Sequence, residues 1–168
     1  MKVQVSGVIN NSFVNGEGIR VVIFLSGCYF NCPECHNKDI QDPNYGNSME
    51  IDEVMDIIKN NIPIIDGITL SGGEPTLQWE QSLEIIKRSK ELGLNVWMYT
   101  GDVYENLIKD SNKRQLIENV DIIVDGRFEK DKVSNELIYR GSSNQRIIDC
   151  KKSIESNSIV LWNENLEL

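Results

Sequence analysis

Between Ile19 and Leu25 the chain reads Ile-Arg-Val-Val-Ile-Phe-Leu, nearly continuous apolar and β-branched residues closed by Ser26-Gly27. A run this short and this apolar fits a strand buried on both faces, the pattern of a parallel sheet and not of a one-sided antiparallel one. Three further stretches repeat it: Gly67–Ser71, Asn95–Tyr99 and Asp121–Val124. Helical spacing fills the gaps. Ile51, Val54, Ile57 and Ile58 recur on one face of a helix expected over Glu50–Asn60, with Glu50, Asp52 and Glu53 at its positive end. A second helix is expected over Trp79–Leu92, with Gly93 as its C-terminal cap. Tyr104–Asn119 reads as helical with a break near Asp110-Ser-Asn112. Val3, Val5 and Ile9 mark a first strand, residues 37 to 49 look irregular, and Ser158–Trp162 reads as a last strand. Strand alternating with helix predicts an α/β fold with a largely parallel sheet, in one domain spanning residues 1–168.

Each of the four central strands ends in a distinctive turn. The first leads into Gly27-Cys-Tyr-Phe-Asn-Cys-Pro-Glu-Cys-His36; the others end at Gly72-Gly-Glu-Pro75, Thr100-Gly101 and Asp125-Gly126. In parallel α/β folds, sites collect at the C-terminal ends of strands. The four turns are therefore expected at one rim.

Cys28, Cys32 and Cys35 are spaced Cys-x3-Cys-x2-Cys. Soft thiolates this close point to a metal or an iron–sulfur cluster. Structural zinc wants four protein ligands, usually in two pairs. No second pair is present, and the single histidine, His36, abuts Cys35. A simple electron carrier holds its cluster with four cysteines. Three ligands leave one iron open for a substrate. Cys150, far along the chain, reads as an ordinary thiol that packs as a small hydrophobe. Gly72-Gly73 allows a close backbone approach, and Glu74 adds a carboxylate beside it.

The formal net charge of −9 argues against sequence-independent nucleic-acid binding, which needs a basic footprint. No apolar stretch is long enough to span a bilayer. The start, Met1-Lys-Val-Gln-Val-Ser6, lacks a signal peptide's apolar run, so the expected address is the cytoplasm.

The cysteine spacing together with Gly72-Gly-Glu-Pro75 resembles the radical S-adenosylmethionine superfamily. Within it, several segments resemble the activases of anaerobic ribonucleotide reductase: Asn15-Gly-Glu-Gly-Ile-Arg20, Phe24-Leu-Ser-Gly-Cys28, Cys35-His-Asn-Lys38, Tyr99-Thr-Gly101, Val124-Asp-Gly126 with Phe128, and Arg140-Gly-Ser-Ser-Asn-Gln-Arg146. The resemblance runs from about residue 7 to residue 149. It implies a partial, open β/α barrel, since the chain is too short for eight β/α units. It implies one 4Fe–4S cluster on Cys28, Cys32 and Cys35, with S-adenosylmethionine as cosubstrate. Reductive cleavage would give methionine and a 5′-deoxyadenosyl radical, which would take a hydrogen atom from a glycine of the large reductase. A reduced flavodoxin- or ferredoxin-like protein would supply the electron. Glu34, Cys35 and His36 would line the adenosylmethionine site. Gly72, Gly73 and Glu74 would receive the methionine amino group, and Thr100 and Asp125 would complete the pocket. Glu34 stands where superfamily members often carry an aromatic residue, which leaves Tyr29, Phe30 or His36 to meet the adenine. Arg140–Arg146 would shape the far rim or meet the partner.

Overall fold

The computed structural model describes residues 1–30 and 38–162. Cys32, Glu34, Cys35 and His36 lie outside the described residues. The strands are β1 (Lys2–Ser12), β2 (Arg20–Leu25), β3 (Asn47–Glu50), β4 (Gly67–Gly72), β5 (Asn95–Tyr99), β6 (Ile122–Asp125) and β7 (Arg146–Asp149). The helices are α1 (Ile51–Asn60), α2 (Trp79–Glu91), α3 (Tyr104–Leu107), α4 (Arg114–Asn119) and α5 (Cys150–Ser156).

One sheet takes up these strands in the order β3-β1-β2-β4-β5-β6-β7. β2, β4, β5 and β6 pair in parallel, as their apolar runs predict. β1 and β7 flank that block antiparallel. The sheet is thus mixed but mostly parallel, in a single α/β domain. α1 begins with acidic residues in its first turn, as expected, and Glu50 and Glu53 also form a reciprocal capping box. Gly93 follows α2 with φ +82°, a left-handed position that glycine adopts without a Cβ clash.

The strand period of two sorts the side chains onto two faces. Val21, Ile23 and Leu25 of β2, Ile68 and Leu70 of β4, Val96 and Met98 of β5 and Ile123 of β6 point one way. There they bury against apolar residues of all five helices. The opposite face carries Arg20, Thr69, Trp97, Tyr99 and Val124, under Tyr139 and Trp162.

Two expectations are corrected, and two elements form where none was expected. Residues 37 to 49, read as irregular, contain β3. It is an exposed edge strand, so it has no apolar alternation to betray it; its pairing with β1 makes it a strand. The polar stretch before residue 150 contains β7, and α5 follows, a helix with only Cys150 and Ser153 buried. Ser158–Trp162 forms no strand among the described residues. It runs beside β7 with a single bridge, Ile148 to Leu161.

Arg20 anchors the second face. It is 1% exposed, and no carboxylate forms an ion pair with it among the described residues. Its guanidinium instead donates to Thr69 Oγ1 (2.8 Å), Glu17 O (2.7 Å), Ile68 O (2.7 Å), Asn95 O (3.0 Å) and Asn95 Oδ1 (2.9 Å). It also lies 5.6 Å from the Trp97 ring centroid. Burial draws its pKa down to about 10. Arg20→Leu strands several of these acceptors in the interior. It is expected to cost at least about 3 kcal/mol, at 1–3 kcal/mol per orphaned buried group, read as a lowered urea midpoint under anaerobic conditions. Arg20→Lys keeps the charge but not the fork, and is expected to recover only part of the loss.

Candidate functional site

The parallel register sets Leu25 against Gly72, Leu70 against Met98, and Tyr99 against Val124. The C-terminal ends of β2, β4, β5 and β6 therefore share one rim, as the sequence implies. Cys28 follows β2 there, half-buried. It lines a cavity of about 150 Å³ together with Gly72, Gly73, Glu74, Thr100 and Gly126. A second cavity of about 430 Å³ adjoins it and shares Phe30, Gly101, Gly126 and Arg127 with the first. Asp125 lines this outer cavity.

Backbone hydrogen bonds fix the start of the cysteine loop from two sides. Gly27 N donates to Ile40 O (2.6 Å) and Cys28 N to Gln41 O (3.1 Å). From the β4 side, Gly73 N donates to Leu25 O (2.9 Å) and Glu74 N to Gly27 O (2.7 Å). Glycine is required at this crossing. A Cβ on Gly73 would sit 2.2 Å from Gly27 O, and one on Gly101 would sit 2.8 Å from the Phe30 ring. The double glycine thus brings its backbone against the cysteine loop itself. The amides of Gly73 and Glu74 are spent on that contact.

Glu74 is fully buried. Its Oε2 accepts from Thr76 N (3.2 Å), Thr76 Oγ1 (2.7 Å) and Thr100 Oγ1 (2.8 Å), and its Oε1 from Gly101 N (2.7 Å). The carboxylate ties the turn after β4 to the turn after β5. Burial pushes its pKa up, and the four donors offset that in part. Thr100 Oγ1 is used twice, since it also accepts from Asp102 N (3.0 Å). Asp125 is buried and holds Arg146 through both oxygens (2.6 and 3.1 Å), while Oδ2 also accepts from Tyr104 N (2.8 Å). Arg146 bonds Glu105 as well, and this double pairing raises its pKa. The polar groups of Thr100 and Asp125 are therefore turned to protein partners.

Of the aromatic candidates, Phe30 lines both cavities. Arg127 lies over its ring at 4.8 Å. Tyr29 turns away toward Lys113 (3.2 Å) and Thr76 (3.3 Å). The segment Arg140–Arg146 is cross-braced. Gln145 Oε1 accepts from Gly141 N (2.8 Å) and Ser142 N (3.1 Å), its Nε2 donates to Gly126 O (3.0 Å), and Asn144 Nδ2 donates to Arg127 O (2.8 Å). Cys150 is wholly buried, and burial pushes its thiol pKa up. Gln41 and Arg127 were not legible as site residues. Each stands in an irregular stretch, and only the folded register brings it to the cavity.

The chain matches the family model of the 4Fe-4S single cluster domain over residues 14–148. Curated relatives named anaerobic ribonucleoside-triphosphate reductase-activating protein are similar over most of both chains. That of Pasteurella multocida is 34% identical over 80% of this chain and 89% of its own. That of Escherichia coli K12 is 35% identical over 79% and 89%, and that of Enterobacteria phage T4 is 32% identical over 80% and 86%. Among solved structures, QueE from Escherichia coli is similar over 61% of this chain and 55% of that one. Its TM-score of 0.49 at 14% identity is too slight to inform fold or function.

A matched 4Fe-4S domain, with Cys28 on the rim of a mostly parallel sheet, defines an iron–sulfur protein. Within that class, the chain belongs to the family of anaerobic ribonucleoside-triphosphate reductase-activating proteins.

Proposed function

We propose that the chain cleaves S-adenosylmethionine reductively and uses the 5′-deoxyadenosyl radical to take a hydrogen atom from a glycine of the large anaerobic reductase. One electron breaks the C5′–S bond, giving methionine. Transfer of the glycine Cα hydrogen gives 5′-deoxyadenosine and leaves the unpaired electron on the glycine. The observation that carries this reading is the closure of the cysteine loop onto the Gly72-Gly73 turn beside Thr100 and Gly126. It joins a cysteine and the backbone of the glycine turn in one cavity.

The residues suit the group implied. Cys28, with Cys32 and Cys35, offers three soft ligands, and a 4Fe–4S cluster so held keeps one iron open to chelation and supplies the electron. Gly72 and Gly73 would accept the methionine ammonium through their carbonyls. Glu34, Cys35 and His36 would line the same pocket, and Phe30 would face the adenine across Gly101. In this role Glu74, Thr100 and Asp125 act through the turns they hold, keeping the rim in one geometry.

Among the described residues, α1 to α5 pack on one face of a sheet whose strand order leaves two edges, which supports a partial, open barrel. The open face would admit a protein substrate. A cavity of about 450 Å³ there meets the cofactor cavity at Tyr99 and carries the exposed apolar residues Phe13, Val14 and Ile138, suited to an extended segment of the reductase. A flavodoxin- or ferredoxin-like donor in the cytoplasm would supply electrons. No helix among the described residues is long and apolar enough to cross a membrane.

Anaerobic reconstitution with iron and sulfide, followed by reduction and S-adenosylmethionine, tests the reading. Cluster absorbance and 5′-deoxyadenosine are expected, with a glycyl radical signal by electron paramagnetic resonance only when the reductase is added. Tight zinc binding with neither product would refute it. Turnover of a small-molecule substrate without the reductase would point to a different radical enzyme.

A further inference from the structure

The short turn Lys38–Gln41 is pinned to the cysteine loop by the hydrogen bonds from Gly27 N to Ile40 O and from Cys28 N to Gln41 O. This two-rung ladder places Gln41 directly beside Cys28, and both line the cofactor cavity. The side-chain Nε2 of Gln41 is sealed from solvent and has no hydrogen-bond partner among the described residues. Only Ser89 Oγ and Asn144 Oδ1 are in the same condition among the described residues, and neither residue lines that cavity. Buried polar groups are nearly always partnered, and an amide donor left alone costs about 1–3 kcal/mol. An orphan donor on a residue paired with Cys28 and lining the same cavity calls for an acceptor that arrives with the bound cofactor.

The acceptor of matching chemistry is an anionic sulfur. Cysteine thiolates and bridging sulfides accept N–H hydrogen bonds, and such bonds are among the determinants of a cluster's reduction potential. We infer that Gln41 Nε2 donates to a sulfur of the cluster held by Cys28, Cys32 and Cys35, and that it sets the potential at which the cluster takes its electron. This rests on the proposed function. A donor stabilises the reduced, more negative cluster more than the oxidised one, so it raises the potential. In this reading Gln41 acts on the cluster and not on the substrate, whose ammonium would meet Gly72-Gly73.

The test is a redox titration of reconstituted wild type and Gln41→Leu, without S-adenosylmethionine, followed by electron paramagnetic resonance. Leucine fills similar space without the donor. The variant is expected to load the same iron and sulfide and to show a lower midpoint. A tenfold weaker reduction equilibrium corresponds to about 59 mV for one electron. Gln41→Glu, which offers only acceptors at neutral pH, is expected to move further in the same direction. An unchanged midpoint in a fully loaded Gln41→Leu overturns the inference. So does an unchanged midpoint accompanied by weaker S-adenosylmethionine binding, which would assign the donor to the substrate. If Gln41→Leu fails to hold a cluster, wild type labelled with ¹⁵N-glutamine decides. Nuclear–electron double resonance is then expected to show coupling from a side-chain amide to the reduced cluster, and its absence overturns the inference. Failure of wild type itself to take up a 4Fe–4S cluster would refute the proposed function instead, so the two failures are distinguishable.

Discussion

Cys32→Ala is expected to abolish the 4Fe–4S cluster after anaerobic reconstitution, whereas Cys150→Ala keeps it in full. The contrast follows from where Cys150 stands. Cys150 N donates to Asp121 O, at the end of β6 away from Asp125-Gly126 and the cofactor cavity. The four steps from Asp121 to Asp125 span roughly 13 Å at about 3.3 Å per residue. A cysteine sulfur must lie within about 2.3 Å of its metal, on the scale of a zinc–thiolate bond. Cys150 also lies inside the main apolar core and is fully buried there. Its loss removes one buried sulfur, a cost of about 1 kcal/mol. With Cys150 so placed, the three loop cysteines have no substitute. The readouts are iron and sulfide content and the visible absorbance of the cluster. Cluster retention in Cys32→Ala, or its loss in a folded Cys150→Ala, would mean that the ligand set is wrong.

The same geometry explains what could be read from the sequence and what could not. Val21–Leu25 announces a buried parallel strand because both of its faces meet protein, so every position must be apolar. Its three parallel partners are legible for the same reason, and with them the rim. β3 is silent because it is an edge strand in which only Met49 turns toward the core. β7 and α5 are silent because two isoleucines and one cysteine carry most of their burial. Within the site, residue type made the cysteines conspicuous, since thiolate chemistry is rare and local in sequence. Glu74 was legible as a site residue, but its hydrogen-bond partners were not. Thr100 and Gly101 lie more than two dozen positions away and reach it only through the pairing of β4 with β5. Gln41 had no signal at all, because an orphan donor exists only once its surroundings are folded.

Glu74→Gln is expected to loosen the rim and to slow S-adenosylmethionine cleavage by about 100-fold, the scale of a misplacement of about 1 Å at a reacting centre. The substitution preserves shape but replaces one acceptor oxygen with a donor. All four groups that face Glu74 donate. An amide nitrogen turned toward Oε1's place meets Gly101 N–H. Turned toward Oε2's place, it meets Thr76 N–H and two threonine hydroxyls. Either way a donor is left buried against a donor, at about 1–3 kcal/mol. The turn carrying Gly73 is then no longer tied to the turn carrying Gly101. The pH dependence has a definite sign. Burial raises the Glu74 pKa in the folded chain above its ordinary value of 4.5. The native state therefore holds the proton more tightly than the unfolded state does, and wild type loses stability as pH rises from the ordinary carboxyl range through the raised pKa. Glutamine does not titrate. The advantage of wild type over Glu74→Gln, measured by urea denaturation at a series of pH values, is expected to narrow as pH rises through that window. An advantage that widens instead would mean that the four donors outweigh burial and hold Glu74 ionised below its ordinary range.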